Sequence, residues 1–138
     1  MNEKWIETKE YRGPAYVPVV DYDAWRVAIM RYCDDLLVDN LCYMQKHDET
    51  DEVFVLLEGK CILYAAGEGE TLEEIEGIDL EPLKVYNVKK GIWHTHALSE
   101  DATVLIVENR DTDDSNSPRL DMNSEEKEAL IRISKELW

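Results

Sequence analysis

The chain of 138 residues holds only three histidines, three cysteines and one phenylalanine, and its 15 lysines and arginines face 31 aspartates and glutamates. Each scarcity excludes something. Cys33, Cys42 and Cys61 are odd in number and never spaced as CxxC, which argues against a disulfide framework and a cysteine zinc site. Cys42 in "NLCYM" and Cys61 in "KCILY" lie in apolar, strand-like runs and are expected to be small buried hydrophobes. The formal charge of −16 repels phosphate backbones and anionic lipid, so nucleic acid and membrane surfaces are not expected as partners. A small anionic ligand remains compatible, because the field inside a pocket can differ from the net charge. No apolar run approaches the roughly 20 residues of a membrane span. The charged start "MNEKWIETKE" has no signal-type apolar core, and a cytoplasmic location is expected. GxSxG, GxGxxG and P-loop patterns are missing, so serine hydrolysis, dinucleotide chemistry and phosphoryl transfer lack support.

What is present suits one domain over residues 1–138, with hydrophobic residues at 44% and no need of staples to fold. Short runs rich in Val, Ile, Tyr and Trp predict strands at Tyr16–Val20, Trp25–Tyr32, Asn40–His47, Val53–Leu57, Lys60–Ala65, Leu83–Val88, Ile92–Ala97 and Thr103–Glu108. Turn residues separate them, which favours a sandwich or barrel over a parallel α/β sheet. The barrel core spans about 14–110. "RDTDDSNSPR" predicts a surface linker over 111–122, and "GEGETLEEIEG" an exposed hairpin. A helix follows over about 124–137, with Asn123 and Glu126 spaced as a capping box and Leu130, Ile133 and Leu137 on one apolar face.

The histidines are not scattered. In "QKHDETDEVFVLLEG" strand alternation puts Tyr43, Gln45 and His47 on one face, and Glu52 opens the next strand across a short turn. In "GIWHTHA" the same alternation puts His94 and His96 together and turns Trp93 and Thr95 away. If these faces meet, His47, Glu52 and His94 form a two-histidine, one-carboxylate set with open positions for a ligand. Trp93 is expected to pack between sheets or at a dimer contact. The acidic run Asp48, Glu49 and Asp51 is expected as a solvated turn.

The two segments resemble the motifs of the cupins. His47, Glu52 and Gly59 match the second histidine, glutamate and terminal glycine of the first motif, and Gly91 and His94 in "KKGIWH" match the second. Three positions depart: Gln45 stands for the leading histidine, Lys89 for a proline and Leu98 for an asparagine. The resemblance covers about residues 40–109 and implies an all-β jelly-roll barrel with a C-terminal helix. It implies a divalent metal (Zn, Mn, Fe or Ni) held by His47, Glu52 and His94, with Gln45 as a weaker fourth donor through its amide oxygen. His96 either replaces the missing imidazole or contacts substrate, and the strand rise of roughly 6–7 Å between alternate residues makes shared ligation with His94 awkward.

The implied activity is that of a metal-dependent enzyme (isomerase, lyase or oxygenase) acting on a small sugar or organic acid. His96 and Tyr43 would serve as catalytic or substrate-orienting groups. The alternative is a metal-free pocket that binds or senses a small ligand without turnover. A homodimer paired through edge strands is expected by the same analogy.

Overall fold

The computed structural model describes residues 2–138. Ten strands and one helix follow in chain order: β1 Ala15–Tyr22, β2 Trp25–Arg31, β3 Tyr43–Gln45, β4 Glu52–Glu58 and β5 Cys61–Ala65. They continue with β6 Glu76–Asp79, β7 Tyr86–Val88, β8 His94–Leu98, β9 Thr103–Asn109, β10 Arg119–Asp121 and α1 Ser124–Leu137. Two short 3-10 turns, Asp34–Leu36 and Val38–Asn40, bridge β2 to β3.

The strands form two antiparallel sheets of five, ordered β1-β2-β9-β4-β7 and β10-β3-β8-β5-β6. All-β architecture with a terminal helix is thus confirmed, in the form of two packed sheets. The strands of one sheet are not paired with those of the other among the described residues.

Period-two alternation explains why the sheets face each other. Ala28 and Met30 of β2, Phe54 and Leu56 of β4, and Val104 and Ile106 of β9 share the inner face of the first sheet. They pack on Cys61, Leu63 and Leu98 from the second sheet. The opposite face of that second sheet carries Met44, Ile62, Tyr64 and Ala97, and α1 covers it with Leu130, Ile133 and Leu137. Helix α1 starts where expected: Asn123 accepts from Glu126 N, and the Glu126 side chain accepts from Asn123 N. Trp93 packs in this outer core and donates from Nε1 to Gly69 O.

Two expectations are corrected, and a third is sharpened. The stretch 111–122 is not all linker, because β10 pairs Arg119 with Gln45 and Asp121 with Tyr43. The acidic "GEGETLEEIEG" is the mostly exposed connection of a β5–β6 hairpin, as expected; its last two residues open β6, which pairs with β5 from Ile62↔Asp79 to Ala65↔Glu76. Cys42 is exposed, beside buried Leu41; Cys61 is buried as expected.

The motif glycines have a backbone reason. Gly59 closes the β4–β5 hairpin at φ 71°, and a Cβ there would lie 2.6 Å from the Ala102 Cα. Gly91 sits at φ 81°, a region that only glycine enters freely.

Candidate metal centre

The two motif segments are stitched together by the backbone. Gly91 N donates to His47 O at 2.8 Å, and Lys90 N donates to Asp51 Oδ1 at 2.8 Å. Asn87 Nδ2 also donates to Asp51 Oδ2, so the acidic turn is exposed but acts as a clamp between the β3–β4 and β7–β8 connections. Gln45 lies directly opposite His94 across β3 and β8.

This stitching brings His47, Glu52 and His94 together. One ligand atom from each lies within 4.8 Å of the others, and all three residues are buried. His47 Nε2 is 3.1 Å and His94 Nε2 is 2.8 Å from the same atom, Glu52 Oε1. Their far nitrogens are committed elsewhere. His94 Nδ1 is 2.9 Å from Ile92 O, a carbonyl that can only accept, so Nδ1 carries the hydrogen. His47 Nδ1 is 2.7 Å from Ser117 Oγ, and that hydroxyl donates onward to Asn116 Oδ1. The serine is therefore an acceptor for His47 Nδ1–H.

With both Nδ1 atoms protonated, both Nε2 lone pairs point at an ionised carboxylate oxygen. Three electron-rich atoms converge on one spot, and something positive must sit among them: a proton on imidazole, or a metal ion. The donor set, two imidazole nitrogens and one carboxylate with outer hydrogen bonds fixing the rings, fits a divalent metal of the Zn, Fe, Mn or Ni type. A buried His47–Glu52–His94 cluster that can hold a metal is what the sequence predicted.

The electrostatics agree. Burial opposes ionisation of Glu52, but when a proton sits on a facing Nε2 the hydrogen bonds and charge of His47 and His94 outweigh it and hold the carboxyl well below the usual range. Burial also works against a charged His47, yet the hydrogen bond and charge of Glu52 raise its pKa.

Gln45 lines the cavity and donates its amide to Ser117 O at 2.9 Å, so it braces the same serine that holds His47. His96 also lines the cavity, outside the cluster of three. Its Nδ1 is the one buried side-chain polar atom without a partner among the described residues, although part of the residue stays open. Burial pushes its pKa down to about 4, so the ring is neutral at physiological pH. Tyr43 lines the cavity too, with the Arg119 guanidinium 4.5 Å above its ring.

Sequence reasoning missed a second polar group beside the first. Arg26 Nη2 donates to Glu108 Oε1 at 2.8 Å, and the Tyr16 hydroxyl donates to that same oxygen. Arg26 also donates to Arg110 O and Thr112 O. Burial and then the charge of Glu52 raise the Glu108 pKa, against the pull of Tyr16 and Arg26. The signal was in the strand alternation: Arg26 precedes Ala28 and Met30, Glu52 precedes Phe54 and Leu56, and Glu108 follows Val104 and Ile106. Three inward-facing apolar series end in ionisable groups at the same end of the sheet. There the interior opens into a cavity of about 580 Å³.

No family model matches the chain, and no curated protein matches it. Solved structures do. WlaRA, a TDP-fucose-3,4-ketoisomerase from Campylobacter jejuni, superposes with a TM-score of 0.52 at 18% identity, over 70% of this chain and 68% of that one. Oxalate decarboxylase from Bacillus subtilis gives 0.53 at 16%, over 70% of this chain and 24% of its own longer chain. Streptomyces PAC13 with uridine gives 0.57 at 9%, over 86% and 88%. The fold is of the cupin type. At these identities the likeness concerns the fold; the His47–Glu52–His94 convergence is this chain's own. No helix among the described residues is long and apolar enough to cross a membrane.

Proposed function

We propose that this cupin-fold chain is a metal-dependent enzyme of small-molecule metabolism, of isomerase, lyase or oxygenase type, acting on a small sugar or organic acid. The observation that carries the reading is the convergence of His47 Nε2 and His94 Nε2 on Glu52 Oε1 at the inner end of a cavity. A divalent ion held by these three residues would supply Lewis acidity toward an oxygen of the substrate. Cupin-fold neighbours that are enzymes by their own descriptions, a ketoisomerase and a decarboxylase, are compatible with such chemistry.

The chain's other residues take roles by position. His96, neutral and with an unpartnered Nδ1, is the group in the cavity wall left to hydrogen-bond a ligand. Its place outside the triad favours substrate contact over replacement of the missing ligand at Gln45. Glu108, held by Arg26 and Tyr16 through Oε1 and facing the Glu52 carboxyl, is placed to hold or move a proton. Tyr43 and Arg119 form a flat, cationic wall against which a ligand can lie. The expected cytoplasmic homodimer goes with this reading.

Metal analysis of untagged protein tests it. The expected result is near-stoichiometric Zn, Mn, Fe or Ni in the wild type, and loss of that metal in His47→Ala and His94→Ala. Metal-free protein that takes up none of the four would overturn the reading. It would leave the alternative, a non-catalytic pocket for a small ligand, which the commitment of Gln45 to Ser117 O in place of a third imidazole favours.

A further inference from the structure

Two arginines line the cavity, with no lysine among the described residues there, and they differ in what they have left to offer. Arg26 is committed. Its Nε donates to the Tyr16 hydroxyl and Glu108, its Nη1 to the Arg110 carbonyl, and its Nη2 to Glu108 and the Thr112 carbonyl. Arg119 makes one polar approach, from Nη2 to Asp114 Oδ1 at 3.6 Å, which is beyond hydrogen-bond range. Both side chains of that pair are largely exposed, so it yields readily to a better partner.

The fold aims the Arg119 side chain. Leu120 of β10 packs against the core beneath α1, so its neighbours Arg119 and Asp121 turn to the opposite, cavity-side face. Arg119 stands directly opposite Gln45 on β3, and Gln45 stands directly opposite His94 on β8. Directly opposed residues share a face, so Arg119, Gln45 and His94 form one row across three strands. Tyr43 lies diagonally across from Arg119, and its ring takes the guanidinium at 4.5 Å. Stacking holds the face of the guanidinium and leaves its N–H edge open, a fork that matches a carboxylate.

We infer that Arg119 is a specificity-determining residue that reads a carboxylate on the substrate, while another oxygen of the same molecule lies at the His47–Glu52–His94 cluster. The inference rests on the metal-centre reading and narrows its substrate to a hydroxylated monocarboxylic acid. Spacing and charge set that class. Two strand spacings put the Arg119 and His94 Cα atoms roughly 10 Å apart. A two-carbon acid that chelates through neighbouring oxygens cannot serve both ends, so the carboxylate sits several carbons from the oxygen at the cluster. His96 Nδ1, unpartnered in the same cavity, offers a place for a further hydroxyl. Asp35, Asp113 and Asp114 also line the cavity and are exposed. One open guanidinium balances one negative charge, and any further charge would face these carboxylates unpaired. That favours a monocarboxylate over a phosphate ester.

Gluconate, sorbitol and glucamine test the inference, because they share a six-carbon polyol skeleton and end in a carboxylate, a hydroxymethyl or an aminomethyl group. Chemical-shift titration of the full chain to about 50 mM reads Kd values into the millimolar range. Wild type is expected to bind gluconate about 10-fold tighter than sorbitol, with glucamine weakest. Arg119→Gln should erase that preference and leave the sorbitol Kd unchanged. Arg119→Lys keeps the charge without the fork and should recover only part of it. Asp114→Asn removes the competing carboxylate and should tighten gluconate by about 2-fold. Unchanged circular dichroism spectra will show that the variants fold. Sorbitol or glucamine binding as tightly as gluconate, binding of none of the three, or a gluconate preference that survives Arg119→Gln overturns the inference. Titrations of chelator-stripped and zinc-loaded chain separate the two readings. A chain that takes up no metal but keeps the Arg119-dependent preference sinks the metal centre alone, and a chain that holds metal without that preference sinks the role of Arg119 alone.

Discussion

His94 Nε2 lies 2.8 Å from Glu52 Oε1 while His94 Nδ1 donates to Ile92 O. A single ring is thus oriented by a backbone carbonyl on one side and turns its other nitrogen to the spot it shares with a buried carboxylate, where a proton or a metal ion can sit. With His47 placed equivalently, a bound ion would be stabilised in the folded chain by a geometry the unfolded chain does not have. Metal and fold are then linked: an ion held at about 100 times its Kd adds roughly 2.7 kcal/mol to stability. For a chain of this size, chelation should lower Tm by roughly 5–10 °C, and re-adding metal should restore it. Glu52→Gln removes the anion at which both rings aim and should abolish the response. A melting curve indifferent to chelator in the wild type contradicts the linkage.

Ser117 fixes the other ring. Its hydroxyl accepts from His47 Nδ1 because it is itself committed to Asn116 Oδ1, which leaves His47 Nε2 free as a donor to metal. Ser117→Ala removes the acceptor and lets the ring rotate or change tautomer. Metal affinity should fall by about 10–100-fold, the usual cost of losing such an outer partner. Ser117→Thr keeps a hydroxyl and should recover most of it. Competition titration with a chromophoric chelator measures both, and equal affinities in wild type and Ser117→Ala would refute the role.

How much of this was legible follows from how local each signal is. His47, Glu52 and His94 could be found because two short alternating segments each put imidazole on a definable face, and a short turn limits where Glu52 can go. Ser117 could not. It lies in "RDTDDSNSPR", whose composition says turn, and its role depends on β10 pairing with β3 some seventy residues away in the chain. Three-residue strands such as β10 carry too little periodicity to announce themselves, and the acidic residues of β6 hide its pairing with β5. Glu108 and Arg26 failed for another reason. A charge at the end of an apolar alternating strand normally marks where the strand leaves the core. Here three such ends coincide inside the cavity, and only the register Arg26↔Glu108 shows that they meet.

His96 should give metal-free protein an acid-sensitive stability. Burial depresses its folded pKa to about 4 against an unfolded value of about 6.5. The unfolded chain therefore binds the proton first as pH falls, so the contribution is fully present above about pH 6.5 and is lost as pH drops toward 4. The span corresponds to at most roughly 3 kcal/mol, since part of the ring keeps contact with the cavity. His47, whose pKa is raised, acts with the opposite sign: its contribution is complete below about 6.5 and is lost as pH climbs through the folded value. Comparison of wild type with His96→Leu by urea denaturation isolates the first effect. The difference in stability between them should shift steadily between pH 6.5 and 4 and stay flat above. A difference independent of pH would refute the assignment.

Arg26 and Glu108 should behave as one unit. Their side chains are 16% and 3% exposed, and Glu108 Oε1 receives Arg26 Nη2 and Nε together with the Tyr16 hydroxyl. Arg26→Met leaves the carboxylate buried beside Glu52 with the phenol as its remaining hydrogen-bond partner, and should cost about 3–5 kcal/mol. Glu108→Gln leaves an uncompensated guanidinium, though one still bonded to the Arg110 and Thr112 carbonyls, and should cost less. With both replaced, no buried charge is stranded, so the double variant should be more stable than the sum of the two losses allows. A coupling of about 1–3 kcal/mol in the urea cycle is expected. Additive losses would mean that the two charges are independently solvated through the cavity, and the group would then lack the rigidity that holding a proton beside the metal centre requires.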